Sequence, residues 1–158
     1  MKAMLGTSCM AISFMCQPAM AKNLSEQALY RMTQKGSVQC LASAVQYEAN
    51  TESTKGKKAV AAVIVNRSIE QGKHVCDIIR QPKQFSWYRR GKIGVSVHQD
   101  NIEAVKKLIA VAVNNSYNHL NQLSHYTYFY NHKQVKPVWA KKMKCEVIEN
   151  HTFCKERK

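Results

Sequence analysis

The chain has 158 residues, with 24 Lys and Arg against 10 Asp and Glu for a formal charge of +14, and 45% hydrophobic residues. That length and apolar content exclude a multidomain architecture and fit one domain with a modest core. So basic a balance points to a polyanionic partner or surface, either nucleic acid or the anionic polymers of a bacterial envelope.

Residues 1–21, MKAMLGTSCMAISFMCQPAMA, carry one early Lys, an apolar middle and an Ala19-Met20-Ala21 ending. This is the pattern of a secretory signal peptide with a small-x-small cleavage site, and its apolar part is too short and too polar for a comfortable membrane span. The expectation is an exported single domain over residues 22–158, periplasmic or extracellular, with no stable membrane insertion after cleavage. Losing Lys2 leaves 23 basic against 10 acidic residues, a formal +13. Cys9 and Cys16 go with the signal peptide, leaving Cys40, Cys76, Cys145 and Cys154. An even number of cysteines in an exported chain reads as two disulfides with three possible connectivities. The favoured one is Cys40–Cys76 with Cys145–Cys154, the second closing a short hairpin. No CxxC pair or HExxH helix is present, so neither a metal nor any other cofactor is expected.

In the mature chain, Leu24, Ala28, Leu29 and Met32 recur at helical spacing over residues 23–34, with Ser25 as a candidate N-cap and Gly36 as the stop. Val38, Leu41, Ala42, Val45 and Ala49 then mark one apolar face of a second helix. Glu48 falls on that face, whereas Gln39, Ser43, Gln46 and Asn50 are placed to face water. A desolvated carboxyl favours its neutral form, which is what a general acid near neutral pH requires. After a polar break in which Thr54 can cap, residues 57–69 contain AVAAVIV, apolar nearly all round. The alanines and the length favour a buried helix over a buried strand. Glu52, in the break, is either an auxiliary carboxylate near the acid or a loop residue tied to backbone or a lysine.

The long irregular stretch 80–97 holds Gln84, Phe85, Ser86, Trp87 and Tyr88. An aromatic face beside amides and hydroxyls suits a sugar, so Gln84, Ser86 and Trp87 are candidate cleft residues, with Phe85 as a core anchor. Asp100 and Glu103 form a D-x-x-E capping box ahead of a further apolar-periodic run. The tail changes period: HYTYFYN alternates, and KCEVIENHTFCK reads as two short strands about Asn150. The predicted class is therefore α+β, mainly α, with a small C-terminal antiparallel β element.

CLASAVQYEANTESTKGKKAVAAVIVNR (40–67), VCDIIRQPKQFSW (75–87), HYTYFYNHKQVKPVWA (125–140) and NHTFC (150–154) are separate blocks in one order. Together they resemble the cell wall hydrolase family of the spore-cortex-lytic enzyme (SleB) type. The resemblance implies a lysozyme-like, lytic-transglycosylase-like helical core acting on peptidoglycan at the MurNAc-β-1,4-GlcNAc bond, with Glu48 as catalytic acid. It also implies that Tyr126, Trp139 and His151 face the cleft. The product expected is 1,6-anhydroMurNAc, or a reducing end if Glu52 assists a muramidase. This chain departs from the family where Asn50-Thr51 replaces Arg-Gly, removing a cation near the acid. That departure sustains the alternative of a catalytically inactive, cationic cell-wall- or nucleic-acid-binding module. On the enzyme reading the partner is peptidoglycan, no nucleic acid is expected, and the protein is a monomer.

Overall fold

A computed structural model of the chain describes residues 23–88, 93, 96–117, 123 and 125–157; the expected signal peptide lies outside the described residues. The elements are α1 (Leu24–Thr33), α2 (Ser37–Ala49), α3 (Thr54–Gln71), α4 (Val75–Arg80), α5 (Gln99–Val113), β1 (Tyr128–Asn131), β2 (Met143–Ile148) and β3 (His151–Glu156), with a 3-10 helix Val138–Lys142 before β2. The class is the expected α+β, mainly α.

The core is built on α3, whose residues from Ala59 to Asn66 are all buried. Helix prevails over strand because both ends carry stop chemistry: the Ser53 hydroxyl accepts from the Lys55 N–H at 3.2 Å, and Gly72 ends the helix at φ +64°. The cap is thus Ser53 rather than Thr54, which is the first helical residue. Fully buried alanines on both sides, Ala59, Ala61 and Ala62 on α3 and Ala42 and Ala44 on α2, let the two backbones approach closely.

Two other expected caps shift for identifiable reasons. Helix α1 is capped by Asn23, whose side chain accepts from the Glu26 N–H at 2.9 Å, and Ser25 is buried instead. Helix α5 starts after His98, so Asp100 lies inside its first turn and is not the cap. Its carboxylate forms an ion pair with Lys57 of α3, whose side chain is 7% exposed. A buried ammonium needs a partner, and that requirement outweighs a capping role for Asp100.

The sheet is antiparallel with strand order β1-β3-β2. Alternation along the strands puts Phe129, His151 and Phe153 on the face toward the helices and Tyr128, Tyr130, Cys145 and Cys154 on the other. Disulfides join Cys40 to Cys76, linking α2 to α4, and Cys145 to Cys154, linking β2 to β3. Among the described residues no helix is long and apolar enough to cross a membrane.

Candidate active site

Glu48 lies in the last turn of α2, positioned by the packing of Leu41, Val45 and Ala49 into the core. Burial pushes its carboxyl above the usual carboxylate range, and the indole N–H of Trp87 pulls it partly back. Trp87 Nε1 is buried and has no acceptor in good hydrogen-bond geometry among the described residues, and as an indole N–H it can only donate. The Trp87 ring stacks on Tyr47, centroids 4.6 Å apart and planes 13° apart. Tyr47 is 45% exposed, so the pair forms an accessible aromatic face next in sequence to the acid. Phe85 is buried and packs against both Trp87 and Phe129, holding the loop down as expected.

The polar side of α2 is less exposed than its sequence suggests. Ser43 is buried, because its hydroxyl donates to the Gln39 carbonyl one turn back at 2.8 Å and needs no water. The Gln46 amide donates to the Ser96 carbonyl at 3.1 Å and accepts from the His98 N–H at 2.6 Å. Asn50 accepts from Asn101 Nδ2 at 3.1 Å. The end of α2 is thereby tied to the start of α5.

Asn66 and Arg67, in the last two turns of α3, carry the connection between loop and sheet; their place in the NR pair after an entirely apolar run was the available signal. Buried Asn66 donates to the carbonyls of Leu123 and Tyr126 at 2.7 and 2.9 Å and accepts from the Tyr117 hydroxyl at 2.8 Å. Arg67 donates to the Thr127 carbonyl and, at 2.9 Å, to Gln84 Oε1, with its guanidinium 5.7 Å from the Tyr128 ring centre. Gln84 is therefore held by Arg67, and both Gln84 and Ser86 are exposed.

Glu52 belongs to a different constellation. Its carboxylate accepts from Asn150 Nδ2 at 2.8 Å and lies 3.7 Å from His151 Nδ1, with its side chain 4% exposed. Glu149, at the β2–β3 turn, bonds the Ser53 N–H at 3.0 Å and also its hydroxyl. Hydrogen bonds with Glu52 and then Ser53 hold the Glu149 carboxyl below its ordinary range. Burial lowers the pKa of His151, with the Glu52 charge opposing. Gly56 makes this docking possible, since a Cβ there would sit 2.7 Å from Glu149 Oε2 and 2.9 Å from Glu52 Cβ.

The remaining predicted residues separate. The Tyr126 hydroxyl donates to Glu146 at 3.0 Å, and burial followed by that contact pushes its pKa up to about 12. Trp139 packs on Tyr128 and Tyr130, on the sheet face opposite His151. An open groove of about 1510 Å³ also runs along that outer face, floored in part by Tyr128 and Tyr130. Glu48 does not line it, but Arg67 touches both the groove floor at Tyr128 and the loop carrying Trp87.

Residues 51–154 match the family described as Cell Wall Hydrolase, a span that begins three residues after Glu48. No curated protein and no solved structure shows significant similarity to the chain.

Proposed function

We propose, for a chain that belongs to the Cell Wall Hydrolase family and so has peptidoglycan as its substrate, that it cuts the MurNAc-β-1,4-GlcNAc bond as a lytic transglycosylase with Glu48 as its one acid/base. The observation that carries this is a carboxyl kept toward its protonated form by burial, beside the accessible Tyr47–Trp87 stack. An aromatic face of this kind suits the C–H surface of a sugar ring.

The protonated Glu48 gives its proton to the glycosidic oxygen as the C1–O bond breaks, releasing the GlcNAc 4-hydroxyl. The resulting carboxylate takes the proton of the muramic acid C6 hydroxyl as that oxygen bonds C1, closing the 1,6-anhydro ring and restoring the acid. The nucleophile is already tethered to the reacting sugar, so no activated water or second carboxylate is required. A hydrolytic route needs such a second group. Glu52 is the candidate, and its commitment to Asn150 and His151 favours the single-acid route over it.

Purified sacculi separate the possibilities. Wild-type protein is expected to clear them and release anhydro-muropeptides, and Glu48→Gln is expected to lose about 10²–10⁴-fold in rate, the usual worth of general acid–base catalysis. Reducing-end muramic acid without anhydro product would replace the transglycosylase with a muramidase. Equal wall binding without clearing by either protein would leave only a binding module.

A further inference from the structure

The groove on the outer face of the sheet is not accounted for by chemistry at Glu48. Lys136, Lys141, Lys144, Lys155 and Arg157 line it, opposed by Glu70 and Glu156. Lysine and arginine ion pairs among the described residues join Lys57 with Asp100, Arg80 with Asp77 and Lys106 with Glu103, all outside this groove. Lys136, Lys141 and Lys144 form no ion pair among the described residues. They come from the loop after β1, the 3-10 helix and the edge strand β2, so folding brings three lysines to the rim of one concavity. Like charges brought together cost stability unless an anion shares the space.

The floor between them is neither a flat apolar patch nor a deep hole. Tyr128 and Tyr130 supply it, with Trp139 packed at a tilt against the first ring and edge-on against the second. An extended, flexible chain with regularly spaced anionic groups fits an open concavity with cations on its rim. A lipid surface would call for a convex face.

We propose that this groove holds the carboxylate-bearing stem peptides of the peptidoglycan strand, with Lys136, Lys141 and Lys144 pairing the carboxylates. The inference takes from the preceding reading only that peptidoglycan is the polymer bound. Arg67 relates the two regions: one side chain contacts Tyr128 on the groove floor and Gln84 in the loop of Trp87. Peptides seated in the groove therefore hold their strand beside that loop. The enzyme then prefers strands that still carry peptides over bare glycan.

The test is equilibrium binding of the mature chain with Glu48→Gln to teichoic-acid-free sacculi, before and after an amidase has removed the stem peptides. Intact sacculi are expected to bind about tenfold more tightly than denuded ones, since a few exposed ion pairs each contribute a small factor. Adding Lys136→Gln, Lys141→Gln and Lys144→Gln is expected to reduce intact-wall binding to the denuded level while leaving denuded-wall binding as it was. Equal binding of intact and denuded walls by the parent chain overturns the proposal without recourse to any lysine variant. So does a triple variant that keeps the preference for intact walls. A triple variant whose main loss is toward phosphatidylglycerol vesicles overturns it in favour of a membrane surface. Clearing of sacculi by the Glu48→Gln chain counts against Glu48 as the acid and leaves the comparison of short-time wall binding readable.

Discussion

Glu48 carries two opposed influences, burial raising its pKa and the Trp87 indole N–H lowering it, and their balance sets the pH range of the proposed chemistry. A general acid is active while protonated, so kcat/KM on sacculi is expected to fall as pH rises through the raised pKa. Trp87→Phe keeps a ring for Tyr47 to stack on but removes the donor to the carboxylate. Its alkaline limb is expected at higher pH than wild type, and a limb that stays put or moves down would refute a role for the indole. The same pKa predicts a stability effect of known sign. The folded state holds the Glu48 proton more tightly than the unfolded chain, whose value is near 4.5. Wild type therefore loses stability as pH rises from there through the folded pKa. Glu48→Gln should melt higher than wild type at neutral pH and converge with it in acid. The inward placement of Glu48 was legible in the sequence, because Glu48 interrupts an apolar helical face. It did not reveal Tyr47, which lies on the exposed side of α2 and gains its role only when a loop forty residues later folds its Trp onto it. Ser43 misled for a simpler reason: a hydroxyl satisfied by the carbonyl one turn back is free to be buried.

At the scale of elements, helices were legible from periodicity, while their ends were not. Ser53 and Thr54 both have capping hydroxyls, Asn23 and Ser25 both have side-chain oxygens that can cap, and such neighbouring candidates are separated only by packing. The β2–β3 turn was also legible, but not its docking onto the α2–α3 corner, which depends on Glu52, Glu149 and Asn150 meeting across nearly a hundred residues. Gly56 shows what that docking demands. Replacing Gly by Ala inside a helix ordinarily stabilises by up to about 1 kcal/mol. Here the added methyl meets the Glu149 carboxylate and the Glu52 stem at under 3 Å, so the sign reverses. Gly56→Ala is expected to destabilise the fold by about 1–3 kcal/mol, the usual range for overpacking. Denaturant unfolding measures this, and a variant as stable as wild type would mean that the turn yields without cost. Shortening Glu149 to Ala in the Gly56→Ala background should recover part of the loss if the clash with that carboxylate is its source.

Over the whole molecule, the two disulfides constrain the fold unequally. Cys40–Cys76 spans 36 residues and fastens the helix carrying Glu48 to α4, whereas Cys145–Cys154 spans 9 residues within the sheet. Loop-closure entropy removed from the unfolded chain grows with the logarithm of the span, giving about 4 kcal/mol for the first and about 2.5 kcal/mol for the second. The even count of cysteines after residue 21 made oxidation legible and the favoured pairing is the one observed, although Cys40–Cys76 also depends on where α2 and α4 pack, which no spacing specifies. Paired Cys→Ser substitutions test the ranking. Losing Cys40–Cys76 is expected to lower the denaturant midpoint more than losing Cys145–Cys154, with each loss near the figure above. The two also differ in what they expose. Cys145 lines the cationic groove while neither Cys40 nor Cys76 does, so removing the short bridge should weaken binding to intact walls at a stability where the Glu48 helix is still in place. Equal midpoints for the two double variants would mean that the unfolded chain is already compact around α2 and α4, leaving the longer bridge little entropy to remove.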